Sequence, residues 1–282
     1  MRVIRHKNEL QNLLQIQMDK NHTIGFVPTM GALHEGHVSL VRRACAENDV
    51  AVVSIFVNPT QFDNEDDLEN YPENLENDIA MLDKVSKDIV LFTPSESEIY
   101  DGNITSNSYD FNGLEKVMEG IFRVGHFNGV ATIVEHLLST VNPHRAYFGE
   151  KDFQQLQIVK KLVALKKIPC DIIGCPIERE PNGLAMSSRN ERLTKRIRLK
   201  AGFIYGTLKK AQSKFGTENA NVITEWVKTQ YMRNPDFRLQ YFQIADVDTL
   251  TPLIKKQEQK KYRAFIAVYA EDVRLIDNIA LN

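Results

Sequence analysis

The chain predicts an α/β fold: a parallel sheet with helices on both faces, followed by a smaller C-terminal α+β domain. Three observations carry this. Apolar or β-branched runs alternate with stretches of helical spacing through roughly the first two thirds of the chain. The run VAVVSIFV (50–57) is apolar almost throughout, as a strand buried on both faces requires. After residue 178 the pattern changes to turns, basic helix and two long strand-like runs.

The elements follow in order. Leu10, Leu13, Leu14, Ile16 and Met18 give helical spacing over 8–20, and residues 23–28 read as the first strand. Val38, Leu40, Val41 and Ala44 predict a helix over 36–47. The strand at 50–57 is broken by Asn58-Pro59. Residues 72–87 form a helix with Leu75, Ile79, Leu82 and Val85 on one stripe, and DIVLFTP (88–94) is a third strand. A helix at 129–141, a short strand in RAYFGEKD (145–152) that enters a loop, a helix at 153–167 and a strand near 170–177 complete this part. In a parallel sheet the ligand crevice lies beyond the carboxyl ends of the strands, where the loops 28–37, 58–62 and 149–152 fall. PNGLAMSSRN (181–190) is turn-rich, the following 22 residues are helical and basic, 221–232 is a second helix, and 237–246 and 262–270 are strand-like. The domains are therefore 1–177 and 178–282, with the boundary near 177–180.

Composition limits the function. With 43% hydrophobic and 26% charged residues, the 282-residue chain is an ordinary globular protein with room for a sizeable core. A net charge of −2 argues against general nucleic-acid binding. Cys45, Cys170 and Cys175 make neither a disulfide framework nor a zinc quartet, and read as free thiols in a reducing compartment. MRVIRHKNELQ lacks the apolar core of a signal peptide, and no run approaches the ~18 apolar residues of a membrane span. A cytoplasmic protein without membrane attachment is expected.

The chemistry is concentrated in a few motifs. IGFVPTMGALHEGHVSL (24–40) reads as strand, tight turn and helix start. His34 and His37, at i and i+3, lie on one face beside unpaired backbone N–H groups and the positive end of the helix dipole, which suits a phosphate. Gly31 and Gly36 allow unusual dihedrals or close approach of a ligand. The pair looks like the H-x-G-H signature of the nucleotidyltransferase superfamily, whose histidines stabilise charge on an α-phosphate. In FVNPTQF (56–62) a turn explains Asn58 and Pro59, whereas Gln61 is an amide placed to orient a polar substrate in an apolar pocket. GEKDFQQ (149–155) offers Lys151 to offset phosphate charge, Asp152 as a helix N-cap, and Gln155 one turn into the helix. In AMSSRN (185–190), Ser188 or Asn190 suits a cap, while Ser187, Ser188 and Arg189 suit a phosphate clasp resembling the KMSKS loop of class I synthetases. The acidic stretch DNEDDLE (63–69) reads as a solvated loop or helix start, with a magnesium role as its functional alternative.

Taken together, PTMGALHEGH, FVNPTQF, GHFNGVATIV, YFGEKDFQQ, GLAMSSRN and the late RLIDN (274–278) closely resemble the pantoate–β-alanine ligase family, in order over almost the whole chain. The resemblance implies a Rossmann-like N-terminal domain, a smaller C-terminal domain that folds over the site, and a homodimer. It implies ATP, (R)-pantoate and β-alanine as substrates, with Mg²⁺, and AMP and pyrophosphate as products. ATP would be bound by Met30, Gly31, Ala32, Leu33, His34, Glu35, Gly36 and His37, with His37 the proton donor and His34 sharing the charge. Gly149, Glu150, Lys151 and Asp152 would add to the nucleotide site, with Lys151 on the phosphates, and Met186, Ser187, Ser188 and Arg189 would complete it. Gln61 and Gln155 would hold pantoate, and Asn58 would be a further substrate contact. The resemblance assigns no metal ligands. One departure stands out: Glu178 replaces the family's usual valine before Arg179, harmless if that position meets adenine through its backbone and costly if through its side chain. Two other classes accommodate the nucleotide motif: an adenylyltransferase for another acid or a nucleotide, and a nucleotide-binding regulatory module. Two glutamines rather than an Arg/Lys cluster favour a small hydroxy-acid over a phosphorylated substrate. A regulatory module would need neither both histidines nor both glutamines.

Overall fold

A computed structural model describes residues 1–63, 65–100 and 102–282. The chain forms two compact units, one of Met1–Glu150 with Gln155–Pro176, the other of Lys151–Gln154 with Ile177–Asn282. The four residues Lys151–Gln154, expected in the first domain, group with the second because Phe153 lies against Phe265 (ring centroids 5.9 Å apart) and under the Arg263 guanidinium.

The first unit is built on six parallel strands: β1 (Arg2–Ile4), β2 (Ile24–Thr29), β3 (Val50–Ile55), β4 (Val90–Phe92), β5 (Arg145–Gly149) and β6 (Asp171–Cys175). Their order is β1-β4-β3-β2-β5-β6. Cross-strand rows explain the apolar runs. Val27, Val53 and Leu91 stand side by side and pack on Leu40, Val41 and Ala44 of helix Glu35–Glu47 and on Leu82 of helix Leu75–Asp83. Their neighbours Phe26, Val52 and Val90 form the row on the opposite face, also buried. A sheet covered on both faces leaves no polar side to alternate with.

The second unit carries a three-stranded antiparallel sheet of β7 (Phe237–Asp246), β8 (Tyr262–Ala270) and β9 (Val273–Ala280) in that order. Ile244, Ile266, Val268 and Leu275 pack there with Ile204, Leu208 and Ala211 of helix Gly202–Phe215 and Ile223 and Val227 of helix Ala220–Met232.

Several elements depart from expectation. β1 and β9 are additions. The long helix expected to begin at 191 is instead a 3-10 turn Ser188–Arg192, a short helix Lys195–Lys200 capped by Thr194, and the helix Gly202–Phe215. The break coincides with a non-local partner: Asn182 Nδ2 donates to the Arg198 (2.7 Å) and Leu199 (3.2 Å) carbonyls at the end of the short helix, and a Cβ on Gly202 would lie 2.2 Å from the Asn182 carbonyl oxygen, so the 181–183 turn packs directly on this backbone. Among the described residues no helix is long and apolar enough to cross a membrane.

Candidate active site

β2 delivers the first loop. Gly31 has φ +86°, and a Cβ there would stand 3.1 Å from both Asp78 Oδ2 and Ile55 Cγ2. Ala32 is also left-handed, φ +48°, although it has a Cβ, at a cost of about 1–2 kcal/mol. The turn aims the consecutive N–H groups of Ala32 and Leu33 at one point, a concavity that takes an anion. Here the anion is internal. The Ala32 N–H donates to Asp78 Oδ2 (3.0 Å) and the Leu33 N–H to Oδ1 (2.7 Å). Asp78 is buried on helix Leu75–Asp83. Burial pushes its carboxyl above the ordinary range, and the two N–H donors pull the other way. No motif points to Asp78, but a signal exists: it sits three residues after Leu75 and four before Leu82, a carboxylate on the buried stripe of its helix.

The histidines form a mutual cap. The helix begins at Glu35, so His34 is its N-cap rather than part of its first turn. His34 Nδ1 accepts from the Gly36 N–H (3.1 Å), and the His34 N–H donates to His37 Nδ1 (3.4 Å). Gly36 is an ordinary helical residue whose N–H serves this cap. Each Nδ1 is thereby an acceptor, which assigns the proton of each neutral ring to Nε2. The rings stack with centroids 4.1 Å apart.

β3 delivers the second loop, ending in a 3-10 turn Pro59–Gln61. Asn58 is fully buried and its amide is bonded to the protein. Its Nδ2 donates to Gln61 Oε1 (3.1 Å) and the Gly129 carbonyl (3.2 Å), and its Oδ1 accepts from Thr60 Oγ1 (3.1 Å) and from the Tyr100 hydroxyl. In this geometry Asn58 braces Gln61 and presents no substrate surface of its own. The GHFNGV motif supplies the other half of the brace: His126 Nδ1–H donates to the Gln61 carbonyl (2.7 Å). Gly129 lets the helix His126–Val141 approach so closely that a Cβ would be 2.2 Å from the Thr60 carbonyl oxygen. Gln61 Nε2 reaches Met30 Sδ at 2.9 Å, so the first two loops touch.

β2 lies between β3 and β5, and the chain runs outward on either side of it. Carboxyl ends of parallel strands at such a reversal form the crevice. The loops carrying 30–37, 58–61 and Gly149–Glu150 leave these three neighbouring strands. A 3-10 turn Glu150–Asp152 joins β5 to helix Phe153–Lys166, with half-buried Gln155 in that helix's first turn. Asp152 immediately precedes the helix, and its carboxylate lies 3.7 Å from Lys151 Nζ.

In the second unit the 178–186 hairpin is closed by the Met186 N–H on the Glu178 carbonyl (2.9 Å) and an Arg179–Ala185 bridge. The Glu178 side chain is exposed, so the hairpin uses only its backbone. Ser187, not Ser188 or Asn190, is the cap: its Oγ accepts from the Arg189 N–H (3.3 Å). Asn190 is buried and donates to the Ala185 carbonyl (3.1 Å) and to Glu180 Oε1 (2.9 Å), tying the serines' turn to the hairpin. Of the acidic stretch 63–69, Asn64 lies outside the described residues; Asp63 accepts from Arg123 Nε at 3.4 Å, and 65–69 is a short helix. No three His, Cys, Asp or Glu residues among the described ones gather to hold a metal ion.

Stacked histidines at a helix N-terminus, in the segment that follows the central strand β2 of a reversing parallel sheet, define an α/β enzyme of the nucleotide-handling kind. The chain belongs to the pantoate–β-alanine ligase family, whose profile, described as Pantoate-beta-alanine ligase, matches residues 2–280. It is 54% identical over 282 residues to a pantothenate synthetase of Christiangramia forsetii, and 50% identical over 281 residues to one of Flavobacterium psychrophilum, each covering 100% of both chains. Among solved structures it is similar to pantothenate synthetase from Thermus thermophilus (TM-score 0.91, 38% identity, 100% and 99% of the two chains). It is also similar to pantoate-beta-alanine ligase from Francisella tularensis complexed with beta-gamma ATP and beta-alanine (TM-score 0.81, 39% identity, 100% and 98%).

Proposed function

We propose that this enzyme condenses (R)-pantoate with β-alanine in two half-reactions, through a pantoyl-adenylate. In the first, a pantoate carboxylate oxygen attacks the α-phosphorus of ATP, the bond to the bridging oxygen breaks, and pyrophosphate leaves. In the second, the β-alanine amine attacks the adenylate carbonyl, the bond from the carbonyl carbon to the phosphate oxygen breaks, AMP leaves with that oxygen, and the proton lost by the amine passes to solvent. The protein forms no covalent intermediate, so catalysis consists of positioning, charge stabilisation and proton donation to the departing pyrophosphate.

The observation that carries this reading is the His34–His37 pair. With both Nδ1 atoms acting as acceptors, both Nε2–H groups are donors at the positive end of a helix, which suits the charge that grows on the phosphorus oxygens and the leaving group. His37 is the proton donor and His34 shares the charge. Met30, Gly31, Ala32, Leu33, Glu35 and Gly36 form the surrounding nucleotide loop, held in shape by Asp78. Gln61 and Gln155 hold pantoate; Asn58 acts through Gln61, whose amide it fixes. Gly149, Glu150, Lys151 and Asp152 serve the nucleotide, Lys151 as the cation for its phosphates, as do Met186, Ser187, Ser188 and Arg189. Glu178 serves through its backbone, consistent with its exposed side chain. Mg²⁺ enters with ATP as part of the substrate and supplies charge neutralisation on the phosphates; the described residues gather no separate acidic or histidine cage for it. Free Cys45, Cys170 and Cys175 fit a cytoplasmic setting. The family resemblance supports a homodimer, which sedimentation equilibrium tests.

Product analysis with substrates omitted in turn tests the scheme. Pyrophosphate should appear with Mg·ATP and pantoate alone, limited to about one equivalent per site, and AMP should turn over only when β-alanine is added. Steady AMP release without β-alanine, or pyrophosphate release only when both acids are present, would overturn the two-step order.

A further inference from the structure

The late motif RLIDN has no role in the scheme so far, yet Asp277 and Asn278 on β9 are almost wholly buried polar residues. Each bonds a different loop of the second unit. Asp277 receives a two-pronged contact from Arg179, Nη1 to Oδ2 at 2.7 Å and Nη2 to Oδ1 at 2.9 Å. The same guanidinium lies 3.7 Å above the Tyr205 ring and donates to the Gly183 carbonyl (3.1 Å). Arg179 is thus fixed from three sides, and with it the hairpin in which Glu178 pairs with Met186.

Asn278 faces the other way along the backbone. Its Nδ2 donates to the Lys151 carbonyl at 2.9 Å, while its Oδ1 accepts from Arg263 Nη1. A guanidinium has no acceptor, so Arg263 forces the amide oxygen toward itself and the amide nitrogen toward Lys151. The Asn278 N–H is anchored on Asp277 Oδ1 at 2.8 Å. Arg263 in turn covers the ring of Phe153, two residues after Lys151. One dipeptide therefore sets the backbone of both segments of this unit that bear nucleotide-site candidates.

We propose that Asn278 is a positioning residue for the nucleotide reaction: it fixes the backbone of Lys151 and so the point from which the Lys151 ammonium meets the phosphates. This rests on the role given to Lys151 above. The discriminating variant is Asn278→Asp. A carboxylate still accepts from Arg263, but it opposes an oxygen to the Lys151 carbonyl where a donor stood.

The test is a double-mutant cycle with Lys151→Ala, measured in pantothenate formation with saturating β-alanine. Asn278→Asp in the Lys151 enzyme should lower kcat/KM for Mg·ATP by about tenfold or more while leaving KM for pantoate unchanged. In the Lys151→Ala enzyme the same change should have no further effect, because the group it positions is gone. Equal losses in both backgrounds, or a rise in both KM values together, would show a merely structural role and overturn the inference. If Lys151→Ala itself leaves turnover unchanged, the reading of Lys151 falls and the inference with it. That result is distinct from additive losses with Lys151 essential, which would remove the inference alone. Should Asn278→Asp fail to fold, Asn278→Ala removes the same bond and is read by the same cycle.

Discussion

Gly129→Ala sets two rules against each other. The residue lies inside helix His126–Val141. By propensity alone, alanine should stabilise a helix interior by about 1 kcal/mol. The structure predicts the opposite sign. The new Cβ would meet the Thr60 carbonyl oxygen at 2.2 Å, its carbon at 2.5 Å and Gln61 Cα at 2.7 Å, all backbone atoms that cannot rotate away. Restoring ordinary contact requires the helix and the Pro59–Gln61 turn to separate by about 1 Å, an overpacking cost of about 1–3 kcal/mol that outweighs the propensity gain. The separation falls on the Asn58–Gly129 and His126–Gln61 bonds, so Gln61 is displaced with the turn. A displacement of about 1 Å at a positioning residue costs about 10²-fold in kcat/KM, here for pantoate, with ATP binding spared. Gly206→Ala is the matched control: it is also inside a helix, and its Cβ would meet nothing within 4 Å. That variant should gain about 1 kcal/mol and keep full activity. Urea unfolding and pantoate saturation curves on both variants decide the matter. If Gly129→Ala is stabilised like Gly206→Ala, with pantoate kinetics unchanged, the close approach and the brace built on it are wrong.

Three further outcomes follow from the same geometry. Asp78→Asn keeps the side chain's size but turns an NH₂ group toward one of the two loop N–H donors, so it should lose about 1–3 kcal/mol and raise KM for ATP more than for pantoate. Burial raises Asp78's folded pKa, so the native protein loses stability as pH rises through that raised value from about 4, the ordinary carboxylate range, whereas the Asn variant does not. The cost of Asp78→Asn measured by urea unfolding should therefore be smaller at neutral pH than at pH 4; a cost that grows with pH would contradict the assignment. His37→Ala should lower pantoate-dependent pyrophosphate release by about 10²–10³ with the circular dichroism spectrum intact, and near-normal release would remove its role. Burial pushes the Cys170 thiol up to about 12, while Cys45 is only half-buried. Native alkylation at pH 8, followed by mass spectrometry, should thus label Cys45 first, and early labelling of Cys170 would place its burial in doubt.

What the sequence makes legible is local. β2 and β3 stand out because a strand covered on both faces must be apolar throughout, and the histidine loop stands out because glycine, histidine and a helix start are contiguous. What it hides depends on distant partners. β1 has three residues and gains its identity only by pairing with β4. β9 interrupts its apolar alternation with Asp277 and Asn278, whose burial makes sense only once Arg179, Arg263 and Lys151 are beside them. The helix break before Gly202 falls where the distant Asn182 amide takes the Arg198 and Leu199 carbonyls. Asn58 reads as a substrate contact when its neighbours are unknown; Gly129 and Tyr100, 71 and 42 residues away in sequence, occupy its amide. The mutual capping of His34 and His37 likewise needs backbone coordinates, because spacing alone does not say which nitrogen carries the proton.

In the proposed first half-reaction the pantoate carboxylate attacks the α-phosphorus. Pantoate labelled with ¹⁸O in its carboxylate, turned over with Mg·ATP and β-alanine and followed by mass spectrometry of the products, tests this directly. One ¹⁸O is expected in the phosphate of AMP and none in pyrophosphate. Label in pyrophosphate or inorganic phosphate, or AMP free of label, would contradict it.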